Sequence, residues 1–533
     1  MPGPCDTTIL ITVPDFLKRP TLLSAWVAVV VWVLAYGLLK VISPDGLDID
    51  SAEQVYFAQS WQLGYGTRQP PLYTWLLLSL KPAQVSWALA LEFGRYLCLL
   101  IWLGGVQALA RACGADRSVQ AKVLLAHLGL LLAMWRVHDS LTHTVLAAGI
   151  TMWASVAAAR ALSRPAWWPV VGLLAAVACL SKLNAALWCL SSLVSAWIII
   201  LQPSLRAQPA VDGAGHAPAR THLLWMLLAL LVFSAAIAPY AHWWLTQPSG
   251  SVSLARRVVV SDAHLPMWKP MVRVVLGALE YLLLAPLLLA LLAWRVQSPQ
   301  DKGSTMRADV GRWLGWQTTC GLSMLIVIMM VMKASHFTPR WLWPVIPGTT
   351  VWMCVKAWQI LDGADRLAAW RARAVWLTWA LVAVTIGASA LRWWVPEINA
   401  QRCKSCWTDR PAEQVSADLH QRYGSQPLRI ITGDDHLAGI LAQVDARDST
   451  WTSNSVDLPP PADFVRDRGP CVAAWITMDQ VQAMPDGLRG LVGDAAVGVP
   501  LAQARLPMPR APQRAMWLLS MPLPESVCNK ARQ

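Results

Sequence analysis

The sequence predicts a polytopic α-helical membrane protein of about eleven transmembrane helices, with interfacial helices on its outer side and a small α/β domain at its carboxyl end. Three observations carry that prediction. Of 533 residues, 56% are hydrophobic and only 14% are charged, too little charge for a soluble chain of this length. Apolar runs of spanning length recur from residue 21 to residue 395. Beyond residue 396 the long runs stop and Asp, Pro and Gly become more frequent, as in a domain that sits in water.

The elements follow in order. Residues 1–20 hold Lys18 and Arg19, the apolar stretch behind them is too long for a signal peptide, and no A-x-A-like site follows. The first span is therefore expected to be retained, with the amino terminus in the cytoplasm. Spans are expected near residues 21–42, 88–110, 119–135, 141–161, 167–181, 183–201, 222–245, 271–294, 313–332, 340–360 and 375–395. The fifth is short, and its loop to the sixth is nearly absent.

Basic residues fall in alternate loops, among them Arg111/Arg117/Lys122, Arg160/Arg164 and Lys356/Arg366. The positive-inside rule assigns those loops to the cytoplasm and leaves the tail after Trp394 outside, so 21–395 is expected to be the transmembrane part and 396–533 a domain on the outer face, periplasmic if the family resemblance given below holds. Topology also accounts for the net charge of +13, and no nucleic-acid partner is expected. Tryptophan pairs at span ends, Trp167/Trp168, Trp243/Trp244 and Trp393/Trp394, read as interfacial anchors.

In the tail, PLRIIT, CVAAWITMD and RAMWLLSMPLP read as strands, and the Asp of GDDH is expected to cap a helix. Cys403, Cys406, Cys471 and Cys528 also lie there. The CKSC motif lacks a surrounding thioredoxin-like unit, so a structural disulfide to Cys471 or Cys528 is expected.

The residues that point to chemistry follow the first span, in the loop 43–87. Asp48, Asp50 and Glu53 stand just beyond it in DIDSAEQVYF, where a partly desolvated carboxylate can serve as a general base. A plainer reading has weight: Asp50 with Glu53 matches a capping box. Behind them Gln69-Pro70-Pro71 introduces LYTWLLLSL, too short to span and expected to lie in the interface. Cations stand on the outer side against the rule: Lys182, Arg256, Arg257, Lys269, Lys333 and Arg340, with His336. One such cation is most simply snorkelling, but several on one face suit a lipid phosphate.

Taken together, the acid after the first span and LGYGTRQPPLYTW resemble the bacterial members of glycosyltransferase family 39. That family shares the C-type superfold with protein O-mannosyltransferases and the aminoarabinose transferases of lipid A. VACLSKLNAALW resembles the family's lysine-bearing helix junction, and KASHFTPRWLWPVIP its basic segment before a late span.

The resemblance implies an inverting enzyme of a bacterial inner membrane. It would move a sugar from a polyprenyl-phosphate donor to a hydroxyl on a lipid, glycan or protein. It places the base at Asp50, with Asp48 or Glu53 as second carboxylate, and the phosphate ligands among Lys333, Arg340, Lys182, Arg256 and Arg257. Arg68, Gln69, Tyr73, His336 and Trp341 are expected to line the substrate cavity.

The sequence departs from the family at Ser51, where an acid is usual, and at Arg68-Gln69, where an acid and then Lys or His is frequent. No cofactor and no metal are therefore predicted, since the positions that would supply a divalent ion are replaced. His138, Asp139 and His143 could contribute to such a site, but polar contacts within the bundle are the favoured reading. A ligase or polymerase of lipid-linked oligosaccharides is the alternative within the enzyme class. A transporter is less favoured, because no repeated halves or broken spans are seen, and a docking subunit would leave Asp50 without purpose.

Overall fold

The computed structural model of the protein describes residues 20–43, 46–65, 69–82, 85–130, 137–138, 140–202, 217–246, 268–282, 307–332, 337–362, 368–395, 406–452, 459–466, 469–478, 484–493 and 499–530. Thirteen helices precede the tail in the described residues. They are α1 (Leu22–Val41), α2 (Ile49–Phe57), α3 (Leu72–Leu80), α4 (Trp87–Ala112), α5 (Arg117–Leu128), α6 (Thr142–Ala161), α7 (Trp168–Ser181), α8 (Ala185–Leu201), α9 (Ala219–Leu245), α10 (Trp268–Leu282), α11 (Ala308–Val331), α12 (Pro347–Asp362) and α13 (Ala368–Trp394).

Five of these, α1, α4, α6, α9 and α11, are long and apolar enough to cross a bilayer. Along α1, Leu23, Val27, Val31, Leu34 and Leu38 are exposed while Ala25, Val29, Trp32 and Tyr36 are buried. An apolar stripe facing outward is stable only in lipid, so the chain is a polytopic membrane protein.

Starts and crossings are written locally. Thr21 and Ser24 form a capping box on α1, and Ser86 and Asp116 cap α4 and α5. Where α7 crosses α9, a Cβ on Gly172 would lie 2.2 Å from the Ala229 carbonyl oxygen, so only glycine permits that approach.

Several expectations need correction. The segment expected to span at 119–135 is helical only as α5 within the described residues. The late span near 340–360 begins as a 3₁₀ turn at Pro339–Leu342 and turns α-helical at Pro347. Two of the expected interfacial anchors are core residues. Trp168 is buried and donates to His222 Nδ1 at 3.2 Å, and buried Trp393 meets Tyr36 edge-on.

The tail forms an α/β unit. Its five-stranded sheet has the order β2-β1-β3-β5-β4, with β1 (Arg429–Thr432), β2 (Ser449–Thr452), β3 (Cys471–Thr477), β4 (Ala502–Met508) and β5 (Ala511–Leu523). β1 pairs in parallel with β2 and β3, and β5 pairs antiparallel with β3 and β4.

Helix α14 (Ala412–Tyr423) precedes the sheet, and α15 (Asp435–Val444) connects β1 to β2. Asp434 caps α15 by accepting from Leu437 N at 2.7 Å, the role expected for GDDH. Cys471 pairs with Cys528 and Cys406 is bonded elsewhere, so the expected bridge from CKSC to either of them is not made. Cys403 lies outside the described residues.

Helix α2 is held on three sides. Ala52 packs with Leu437, Ile440 and Leu441 of α15; Tyr56 and Phe57 join Trp451 and Trp475 of the sheet; Val55 and Ala58 meet Leu77 of α3 and Leu91 of α4. A Cβ on Gly439 of α15 would fall 1.9 Å from the Ala52 carbonyl oxygen, which fixes how closely α15 crosses α2.

His436 Nε2 donates to Leu47 O at 2.9 Å, and the Gln59 side chain bonds both N and O of Thr450. Gly439→Ala is thus expected to destabilise the protein by about 1–3 kcal/mol through overpacking. Thermal unfolding checks this, and an unchanged midpoint would count against the crossing.

Candidate active site

The docking of α2 leaves one face for chemistry, because Asp50 and Glu53 at i and i+3 share a side of the helix. The cap falls to Asp48, whose Oδ1 accepts from Ser51 N at 3.0 Å. The helix starts a residue or two earlier than the capping-box reading supposed. That frees Asp50: its Oδ2 accepts from Arg340 Nη1 at 2.8 Å and from Leu141 N at 3.1 Å. Glu53 Oε2 accepts from Gln69 Nε2 at 3.1 Å.

Leu141 makes its contact from the left-handed region, at φ 77°. A residue with a Cβ sits there at a cost of about 1–2 kcal/mol, and such strain persists where surroundings over-determine it.

Two cations meet the acids. Arg340 comes from the 3₁₀ turn before α12, and its Nε is buried with no hydrogen-bond acceptor among the described residues. Lys182 ends α7, and its Nζ donates to Thr144 Oγ1. Burial, and then Arg340, pull the Lys182 ammonium down to about 8, against Asp50 and Glu53. Asn184 Nδ2 donates to Trp341 O at 2.8 Å, so one bond ties the turn that bears Arg340 to the junction that bears Lys182.

Asp48 is half-buried. Burial first, and the Asp50 charge second, push its carboxyl up to about 7. A raised carboxyl binds its proton more tightly folded than unfolded. The stability it contributes is full below the ordinary value of 3.8 and is lost as pH rises through about 7. Asn caps as well as Asp. Relative to Asp48→Asn, the wild-type melting temperature is expected to fall between about pH 4 and pH 7 and then level off; parallel curves would contradict this.

Behind the acids lies a buried polar layer. Gln54 Oε1 accepts from Thr74 Oγ1 at 3.0 Å, and its Nε2 donates to His143 Nε2 at 2.6 Å. His138 stacks on Tyr36 at 3.6 Å and bonds Tyr96 Oη through Nδ1 at 3.0 Å. Both histidines make polar contacts within the bundle.

Arg95, 1% exposed inside α4, is paired with Glu92 and also bonds Ser51 Oγ and His138 O. A buried charge costs several kcal/mol to desolvate, so its persistence depends on those partners.

The structure brings together Asp48, Asp50, Glu53, Gln69, Lys182 and Arg340. Tyr73 is fully buried with its ring 5.3 Å from His143, a packed position and not the wall of an open cavity. Trp341 turns its indole edge-on to Phe337. Arg68, Arg256, Arg257, Lys333, His336 and Asp139 lie outside the described residues.

Sequence reading missed Arg95, Glu92, Gln54, Asn184 and the Leu141 amide. An acid and an arginine at i, i+3 in an apolar helix was a readable signal; a backbone N–H in a left-handed turn leaves none. Among the described residues, one group could hold a metal ion: His420, Asp445 and Asp448. It belongs to the α/β unit, and Arg447 already pairs with Asp445 at 2.6 Å.

No protein-family model matches the sequence. The crystal structure of ArnT from Cupriavidus metallidurans bound to undecaprenyl phosphate superposes with a TM-score of 0.54. It covers 94% of this chain and 98% of that one at 14% identity. The apo structure of ArnT from the same organism gives 0.53, with 94% and 97% covered, also at 14% identity. The chain has the fold of a C-type membrane glycosyltransferase.

Sequence agrees over part of the length. A stretch of 335 residues is 24% identical to the lipopolysaccharide core galacturonosyltransferase RgtA of Rhizobium johnstonii, 60% of this chain and 61% of the relative. The chain thus spans about three fifths of that curated relative. The C-type resemblance read from the opening loop is shared by both comparisons.

Proposed function

We propose that the chain is an inverting glycosyltransferase that takes a sugar from a polyprenyl-phosphate donor and passes it to a hydroxyl acceptor at the periplasmic face of the inner membrane. The observation that carries this reading is the ion pair of Asp50 with Arg340, with Lys182 beside it. It sets one acid against two cations where a base and an anion site are both required.

The acceptor hydroxyl gives its proton to Asp50 as its oxygen bonds the anomeric carbon. The bond from that carbon to the phosphate oxygen breaks, and its electron pair leaves with polyprenyl phosphate, which Arg340 and Lys182 receive. Attack opposite the leaving group inverts the anomeric centre. The Nε–H of Arg340 and the lowered Lys182 ammonium both gain from an arriving phosphate. The reading invokes no metal: Asp50 and Glu53 already accept from N–H donors, and Arg68-Gln69 supplies no acid.

About eleven spans between residues 21 and 395, a cytoplasmic amino terminus and a periplasmic α/β domain over 396–533 complete the reading. The alternation of basic loops supports that topology. ArnT is described as bound to undecaprenyl phosphate, and RgtA as a transferase of lipopolysaccharide core. The first supports a lipid-linked donor and the second a cell-envelope acceptor.

Native mass spectrometry of the protein in nanodiscs with undecaprenyl phosphate is the binding test. One lipid held by wild type and lost on Lys182→Met with Arg340→Gln is expected. Equal retention by both would remove the cations from the phosphate site.

A further inference from the structure

The proposed chemistry makes no use of Arg95, yet this side chain touches both structures that flank Asp50. Nη1 donates to Glu92 Oε1 at 2.7 Å, to Glu92 Oε2 at 3.0 Å and to His138 O at 2.7 Å, while Nη2 donates to Ser51 Oγ at 3.0 Å. Ser51 follows Asp50 on α2. His138 lies three residues before Leu141, whose N–H lies 3.1 Å from Asp50 Oδ2. One guanidinium in α4 therefore grips the helix that bears the acid and the backbone three residues before the amide that donates to it.

We infer that Arg95 is a positioning residue for Asp50: from inside the bundle it sets the distance between the first turn of α2 and the backbone at His138, three residues before the Leu141 amide, and so the direction of the carboxylate. The inference rests on Asp50 being the base of the proposed transfer.

Three features support it. The left-handed Leu141 needs surroundings that hold it, and the bond from Arg95 to His138 O anchors the backbone three residues before it. A planar fork of donors can serve Glu92, a carbonyl and a hydroxyl at once, which a lysine's compact ammonium cannot. Glu92 balances the charge, so the pair adds a fixed geometry near the acids without adding net charge.

The test compares wild type, Ser51→Ala, Arg95→Lys and the double variant in nanodiscs, using a polyprenyl-phosphate sugar that the wild type turns over. Arg95→Lys keeps a cation beside Glu92, so no buried carboxylate is stranded. A misplacement of the base by about 1 Å predicts a kcat loss of about a hundredfold for Arg95→Lys. For Ser51→Ala, which removes one tether only, the loss is about tenfold, and donor KM changes less than about twofold in both.

The double variant is expected to be no slower than Arg95→Lys, because both changes cut the same link. Hydrogen exchange should quicken in the peptides over 49–57 and 137–145, with the rest of α4 unaltered. Unchanged kcat, or losses that multiply and follow the melting temperature, would overturn the inference.

A wild type that turns over no donor would overturn the proposed function instead. Exchange then decides the inference alone: unaltered peptides sink it, and faster ones uphold the tether.

Discussion

Asp50→Asn is expected to lower turnover by about 10²–10⁴-fold, the usual contribution of a positioned general base, while the donor binds as before. The substitution keeps the shape, and its carbonyl oxygen can still accept from Leu141 N or from Arg340. What it removes is the capacity to take the acceptor's proton. Loss of kcat with unchanged donor affinity is therefore the signature. If the Asp50→Asn enzyme turned over normally, the base would have to be sought at Glu53 or Asp48. Asp48 is the weaker of those two, because its oxygen is engaged in capping α2.

Arg340→Ala is expected to act on the other half of the reaction. A charge-assisted hydrogen bond to phosphate contributes about 1.5–3 kcal/mol, so donor affinity should fall about 10- to 100-fold. Turnover should fall too, because the leaving phosphate loses a partner as its charge develops. Asp50 also loses its ion pair, but retains the Leu141 amide and remains half-buried. Titration of undecaprenyl phosphate with each variant checks the prediction, and affinity equal to wild type would detach Arg340 from the phosphate.

Much of the fold was legible because a bilayer makes sequence explicit: runs such as 21–42 and 141–161 have no other stable use. The tail was less so. β2 has only four residues, and β4, although its exposure alternates, ends at a register shift and carries Pro507, a residue that argues against a strand when met in sequence. Three strands and the Asp434 cap were readable because each stands in a local pattern.

The site divides the same way. The acids, Lys182 and Arg340 could be singled out by charge in places where membrane topology disfavours it. That they converge could not be read, since residues 50, 141, 182 and 340 are joined only through packing of α2, α6, α7 and the turn before α12. The capping residue was misassigned because Asp48 and Asp50 both suit the role. Only the backbone at Asp48, extended at φ −76° and ψ 174°, decides between them.

The central claim is sugar transfer from a lipid phosphate with Asp50 as base, and one measurement addresses it most directly. Purified wild type and Asp50→Asn, each in nanodiscs, are incubated with a panel of polyprenyl-phosphate sugars and a bacterial membrane lipid extract, and all products are resolved by mass spectrometry. The account predicts that wild type releases polyprenyl phosphate from one donor in step with an acceptor that has gained that sugar, and that Asp50→Asn does neither. Equal product from both proteins, or intact donors with wild type throughout, would contradict it.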